Sequence, residues 1–287
     1  MKTMVILIGM ALSAAGNDAT AASNADSLFL ENQSLRMEIC RTPAPFIRRL
    51  VHKASDRAVV AEPATKSLFS IAFANEDGKQ ETIESAAAGA SDVRVTRTGA
   101  VSTTVIKYAK FPASDVAVEV TAVCDEQDPL TRWTIRVTHN PKWRLKTVRF
   151  PQLWAVPAID DGKDDCLVLP ALAGTLIENP AENWRNGQSV ALKYPGNLSA
   201  QFLAYQDRSA GVYLAGMDTA GYPMSLGVSK QAEGFRCWHE FTTVADEKEF
   251  RPGVSRGDWR DAGHVVRHGR SIQAVGRTAE MVRADAV

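Results

Sequence analysis

The clearest periodicity in the chain lies between residues 92 and 138, where runs of alternating apolar and polar or small side chains are separated by turns. Val93 and Val95 alternate with Arg94 and Thr96, and Val101–Tyr108 continues beyond the turn Thr98-Gly99-Ala100. Val116, Val118 and Val120 alternate with Ala117, Glu119 and Thr121; Trp133, Ile135 and Val137 alternate with Arg132, Thr134, Arg136 and Thr138. A period of two carried by β-branched residues marks strands with one face in a core and the other wet. Four such strands in close succession predict an antiparallel sandwich. Leu28–Glu31, Leu35–Cys40, Phe46–His52 and Ser67–Ala74 add further strands, and Ala86–Ala90 reads as a loop.

A second pattern lies further on. Ala200–Tyr205 and Gly211–Met217 flank the polar turn Gln206-Asp207-Arg208-Ser209-Ala210, which predicts a β-hairpin with a medium loop. Both runs are apolar at nearly every position, so the hairpin is expected to be covered on both faces. Phe235–Val244 reads as a late strand, and Pro151, Pro157 and Pro170 mark connections in the middle of the chain. No helical period is sustained before the last thirty or so residues, and no glycine-rich phosphate loop joins a strand to a helix. The fold class expected is all-β: a large antiparallel two-sheet β-sandwich with a short irregular or helical C-terminal tail.

Composition narrows the function classes. The 33 basic and 33 acidic side chains cancel, which speaks against a nucleic-acid-binding surface. Lys2, the apolar run Met4–Leu12 and the small residues around Ala19-Thr20-Ala21 read as a signal peptide over residues 1–22, too short to span a bilayer. A secreted or periplasmic location is expected, with no membrane attachment once the signal is removed. The four cysteines, Cys40, Cys124, Cys166 and Cys237, permit up to two disulfides, with buried free thiols the equal alternative.

Several of these segments carry a resemblance. Tyr194-Pro195-Gly196, Ser199-Ala200-Gln201-Phe202, Tyr205, Gly211-Val212-Tyr213-Leu214-Ala215 and Asp218 occur in an order similar to that of a family of largely uncharacterised bacterial glycoside hydrolases. The resemblance covers roughly residues 30 to 262. It implies an N-terminal β-supersandwich, similar in fold to galactose mutarotase, ahead of a catalytic (β/α)8 barrel. Gly257-Asp258-Trp259-Arg260-Asp261-Ala262 resembles the passage from sandwich to barrel. The stretch after Ala262 is too short for a barrel of about 250 residues. The expected organisation is therefore a signal peptide (1–22), a supersandwich domain (23–255) and a truncated or frame-shifted tail (256–287). Both catalytic carboxylates of the family would lie on the missing barrel. The resemblance thus implies a non-catalytic, carbohydrate-associated module that contacts sugar weakly, with no cofactor. The alternatives are a stand-alone aldose mutarotase or epimerase on the same fold, and a purely structural or interaction domain.

Side-chain chemistry points to the candidate site residues. Trp184 sits in a loop with Glu182 and Asn183, and an aromatic ring among amides and a carboxylate suits sugar binding; the competing reading is a Trp plugging the core. Trp238 and His239 lie on the late strand. His239 and Glu240 are adjacent there, so they point to opposite faces and cannot together form a general acid–base pair. Asp160-Asp161 and Asp164-Asp165 flank Gly162-Lys163. Their oxygens suit Ca²⁺, but the spacing matches no EF-hand, and a solvated acidic loop with no metal is the reading adopted. Asp218 is expected to hold a turn.

Overall fold

The computed structural model describes residues 26–75, 79–112, 115–140, 143–216 and 223–242, together with the backbone of 266–274. The proposed signal peptide, Asp218 and most of the tail lie outside the described residues.

The strands, in chain order, are β1 (Ser27–Glu31), β2 (Leu35–Cys40), β3 (Phe46–His52), β4 (Arg57–Val60), β5 (Ser70–Asn75), β6 (Gln80–Glu84), β7 (Ala90–Thr98), β8 (Val101–Ala109) and β9 (Val116–Asp125). They continue with β10 (Thr131–His139), β11 (Trp143–Val156), β12 (Cys166–Leu169), β13 (Thr175–Glu178), β14 (Ser189–Tyr194), β15 (Phe202–Gln206), β16 (Gly211–Gly216), β17 (Met224–Gln231), β18 (Gly234–Thr242) and β19 (Val266–Ala274). One short helix, α1 (Pro180–Asn183), and one 3₁₀ turn, Ser85–Ala87, complete the described elements. No helix among them is long and apolar enough to cross a membrane.

The protein is nearly all-β and antiparallel, as its alternation requires, but the strands fall into three sheets where two were expected. β1–β4 form a meander; β13-β12-β15-β16-β19-β10-β9-β8-β7 form a nine-stranded sheet; β14-β17-β18-β11-β5-β6 form a six-stranded one. The clearest alternation in the sequence becomes the clearest alternation of burial: along β9 Val116, Val118, Val120, Ala122 and Cys124 are buried, while Ala117, Glu119, Thr121 and Val123 turn towards solvent. Side chains from all three sheets join a single hydrophobic core, including Met37 and Leu50, Trp133 and Val212, and Phe150 and Phe241.

The hairpin Phe202–Gly216 forms, with one face sealed by Leu203, Tyr205, Val212 and Leu214 and the other only partly covered: Ala204 and Ala215 are buried there, while Phe202 and Tyr213 stack together half-buried. Its turn is fixed by Asp207, whose carboxylate accepts the backbone N–H groups of Ser209 and Ala210, each at 2.6 Å.

Two expectations are corrected. Pro151 does not mark a connection; it lies inside the long strand β11, within a register shift between Arg149 and Gln152 that interrupts pairing with β18. The tail is not wholly irregular or helical either. Its segment Val266–Ala274 is a strand, pairing with β10 on one side and β16 on the other. Both neighbours present a row of N–H and C=O groups, and the extended backbone of this segment pairs with them.

Candidate functional site

The loop between β13 and β14 is a built structure. Asn179 adopts a left-handed conformation (φ 48°) and opens α1, with Pro180 in the first turn, where its missing N–H costs nothing. The Asn183 amide closes back on the Glu178 carbonyl at 3.0 Å. The ammonium of Lys230, on β17, donates to the carbonyls of Ala181 and Trp184. The backbones of Gly187 and Gln188 also bond to that of Lys230. Trp184 turns inward: it is 8% exposed and meets the Phe235 ring edge-on, with centroids 6.1 Å apart. Of the two readings of this Trp, the structure supports the plug. The residues the loop offers to solvent include Glu182, Asn183, Arg185 and Asn186.

Trp238 and His239 occupy opposite faces of β18. Residues 235, 237, 239 and 241 point into the core, and His239 is fully buried with no hydrogen-bond partner on either ring nitrogen. Trp238 points the other way, together with Arg236 and Glu240. There the strand partners on β17 are all small: Ser229 opposite Arg236, Gly227 opposite Trp238 and Ser225 opposite Glu240. The indole lies over Gly227, where an added Cβ would sit only 2.2 Å from the ring. Arg236 packs between Trp154 and Trp238, with its guanidinium 4.3 and 4.9 Å from the two ring centroids, and Arg149 lies 5.8 Å from Trp238 while pairing with Glu240. Burial lowers the Arg236 pKa, with the charge of Arg149 adding to the effect, and Gln152 accepts a bond from its guanidinium. Trp238 is 7% exposed, so its ring too is covered.

The site candidates therefore do not converge. Trp184 reaches the core face of β18 and Trp238 the outer face, so no single sugar could touch both. Glu182 and Asn183 stay together at the surface. Among the other described histidines, His52 and His139 are 4% and 3% exposed, so neither offers an open acid to a sugar ring. None of the four cysteines is joined in a disulfide. Burial pushes the thiols of Cys124 and Cys237 up to about 12, which makes them core fillers rather than nucleophiles.

The acidic stretch after β11 departs from the solvated loop expected. Asp161 and Asp164 do face water, but Asp165 is 1% exposed. It sits against Asp207, the turn residue of the β15–β16 hairpin. Local sequence pattern does not show this meeting, because only the strand register creates it.

No known family profile and no curated protein matches the chain. Its fold, however, recurs in solved carbohydrate-active enzymes. It superposes on the α-N-acetylgalactosaminidase NagBb of Bifidobacterium bifidum, in complex with Gal-NHAc-DNJ, with a TM-score of 0.58 at 10% identity, covering 87% of this chain and 36% of that one. The GH36 α-galactosidase AgaB of Geobacillus stearothermophilus gives 0.55 at 10% identity, covering 90% and 41%. A TPR-domain containing protein from Parabacteroides distasonis gives 0.53 at 11% identity, covering 91% and 49%. At such identities the likeness is one of fold. The chain spans well under half the length of the two glycosidases.

Proposed function

We propose that this chain is the non-catalytic, carbohydrate-associated module of an exported glycoside hydrolase, and that its three sheets make up a galactose-mutarotase-like supersandwich. One observation carries the reading: 87–90% of the chain superposes on 36–41% of two glycosidases, the proportion expected of one module beside a separate catalytic domain. The buried histidines and the covered rings of Trp184 and Trp238 support it, since a catalytic pocket needs such groups at an open surface. In this reading Trp184 anchors a rigid loop, and Glu182 and Asn183 at its tip meet the sugar. Two exposed polar side chains without an aromatic platform give weak contact, with Kd on the order of 1 mM.

The test has two arms. The purified chain should show no turnover of aryl α- or β-glycosides; enzyme-like rates would overturn the reading. Affinity electrophoresis against a panel of soluble polysaccharides should show retardation that is lost in the double variant Glu182→Ala, Asn183→Ala. The competing reading is a structural or interaction domain. No retardation by any polysaccharide would favour it.

A further inference from the structure

The end of the β12–β15 ladder brings like charges together. Cys166 pairs with Gln206 in antiparallel register, so the next residues outward, Asp165 and Asp207, lie opposite one another. Asp164 completes the group, and one carboxylate oxygen from each of the three lies within 4.8 Å of the others. Facing like charges destabilise a strand pair unless something neutralises them. Among the described residues Lys163, Arg208 and His52 do not supply this; burial lowers the pKa of His52 despite Asp207 nearby. Lys163 is exposed and pairs with Asp161; Arg208 is 86% exposed and reaches only Asp164, the outermost of the three.

Asp165 provides the second observation. It is 1% exposed. Its Oδ2 accepts the Ile159 N–H at 3.1 Å and the Tyr205 hydroxyl, which fixes the carboxylate. Its Oδ1 is buried and has no hydrogen-bond partner. A sealed carboxylate oxygen with no donor is a costly arrangement that calls for a ligand. The same three aspartates line a cavity of about 480 Å³, which Glu178, Asn179 and Gln206 also line.

We propose that Asp164, Asp165 and Asp207 bind a single Ca²⁺ ion, which ties the loop after β11 to the turn of the β15–β16 hairpin. The donor set is all hard oxygen. Bonds of about 2.3–2.6 Å place the oxygens around one Ca²⁺ at most about 5 Å apart, which matches the observed cluster. Carbonyl groups and water complete the shell in the open part of the cavity. The ion supplies Oδ1 of Asp165 with the partner that the protein withholds.

The experiment uses the full chain stripped with EDTA. Calorimetric titration with CaCl₂ should show about one ion bound per chain. Saturating Ca²⁺, roughly a hundredfold above Kd, should raise Tm by about 5 °C or more. Asp164→Asn removes an exposed charge and Asp207→Asn keeps the amide oxygen that accepts the turn N–H groups, so both variants should fold. Each should weaken Ca²⁺ binding about tenfold or more, because affinity follows ligand charge. Absence of binding in the parent chain overturns the proposal, as does binding that neither variant weakens. A Tm that ignores Ca²⁺ and rises in mildly acidic buffer would also overturn it, since a proton shared among the carboxylates would then fill the ion's role.

Discussion

The two faces of β18 solve the same packing problem in opposite ways. On the core face Phe235, Cys237, His239 and Phe241 pack among apolar neighbours, and the one polar ring, that of His239, finds no partner. On the outer face Arg236, Trp238 and Glu240 are large and polar or amphipathic, and each lies over a small residue of β17. There every charge has company: Arg149 with Glu240, Arg236 with Gln152 and two indoles. The core face is held by area removed from water. The outer face is held by complementary shape, with its charged groups matched to partners or rings, although Nε of Arg236 is buried without a hydrogen bond. A strand built this way should lose stability most steeply on the face where nothing can relax.

The largest effect is therefore expected at Phe235, whose ring centroid lies 4.9 Å from that of Tyr205 and 6.1 Å from that of Trp184. Phe235→Ala should destabilise the protein by about 3–5 kcal/mol, read as a drop in the urea midpoint, because neighbouring strands and the Trp184 loop wall the cavity it leaves. A loss under about 1 kcal/mol would mean that the Trp184 loop collapses into the space, and the two faces would then be less different than they look. On the outer face the sharper probe is Gly227→Ala. The new methyl must lift the Trp238 indole off the sheet, at about 1–3 kcal/mol. Tryptophan fluorescence should shift with it; an unchanged spectrum would show that the ring does not rest on Gly227.

Much of the fold was legible because much of it is local. Val116–Asp125 announces its two faces by alternation, and the neighbours His239 and Glu240 separate to opposite faces as strand geometry requires. The hairpin around Asp207 was visible from its turn residues. What the sequence withheld depends on partners distant along the chain. The number of sheets depends on which strand lies beside which, and no local period encodes that. Trp184 sinks because Phe235 and Lys230 receive it, and neither is near it in sequence. The carboxylates of Asp165 and Asp207 meet only through the β12–β15 register. The strand Val266–Ala274 has no clean apolar alternation to read, and its pairing with β10 and β16 joins it to partners far away in sequence.

His239 tests the comparison with the sign reversed. A buried imidazole with no partner pays for desolvation without a compensating bond. His239→Leu, close in volume and free of polar atoms, should raise stability by about 1 kcal/mol in the same denaturation assay. A loss of that size would reveal a hydrogen bond to His239 inside the core, and the core face would then be held partly by polar pairing, as the outer face is.

The smallest effect is expected where the outer face is most open. Arg149 and Glu240 pair with side chains 40% and 19% exposed, and the guanidinium also sits near the Trp238 ring. Such a pair loses most of its Coulomb attraction to solvent and contributes about 0.2–1 kcal/mol. Glu240→Gln keeps the shape over Ser225 and removes the charge alone, so the loss should be below about 1 kcal/mol and should shrink further in molar salt. The neighbouring guanidinium of Arg236 makes the outcome informative. With Glu240 neutralised, Arg149 and Arg236 are left facing each other across one indole, and Arg236 is already held with a lowered pKa by burial and by that same neighbour. A loss well above 1 kcal/mol that salt relieves would therefore mean that Glu240 balances both arginines. The outer face would then depend on charge as firmly as the core face depends on volume.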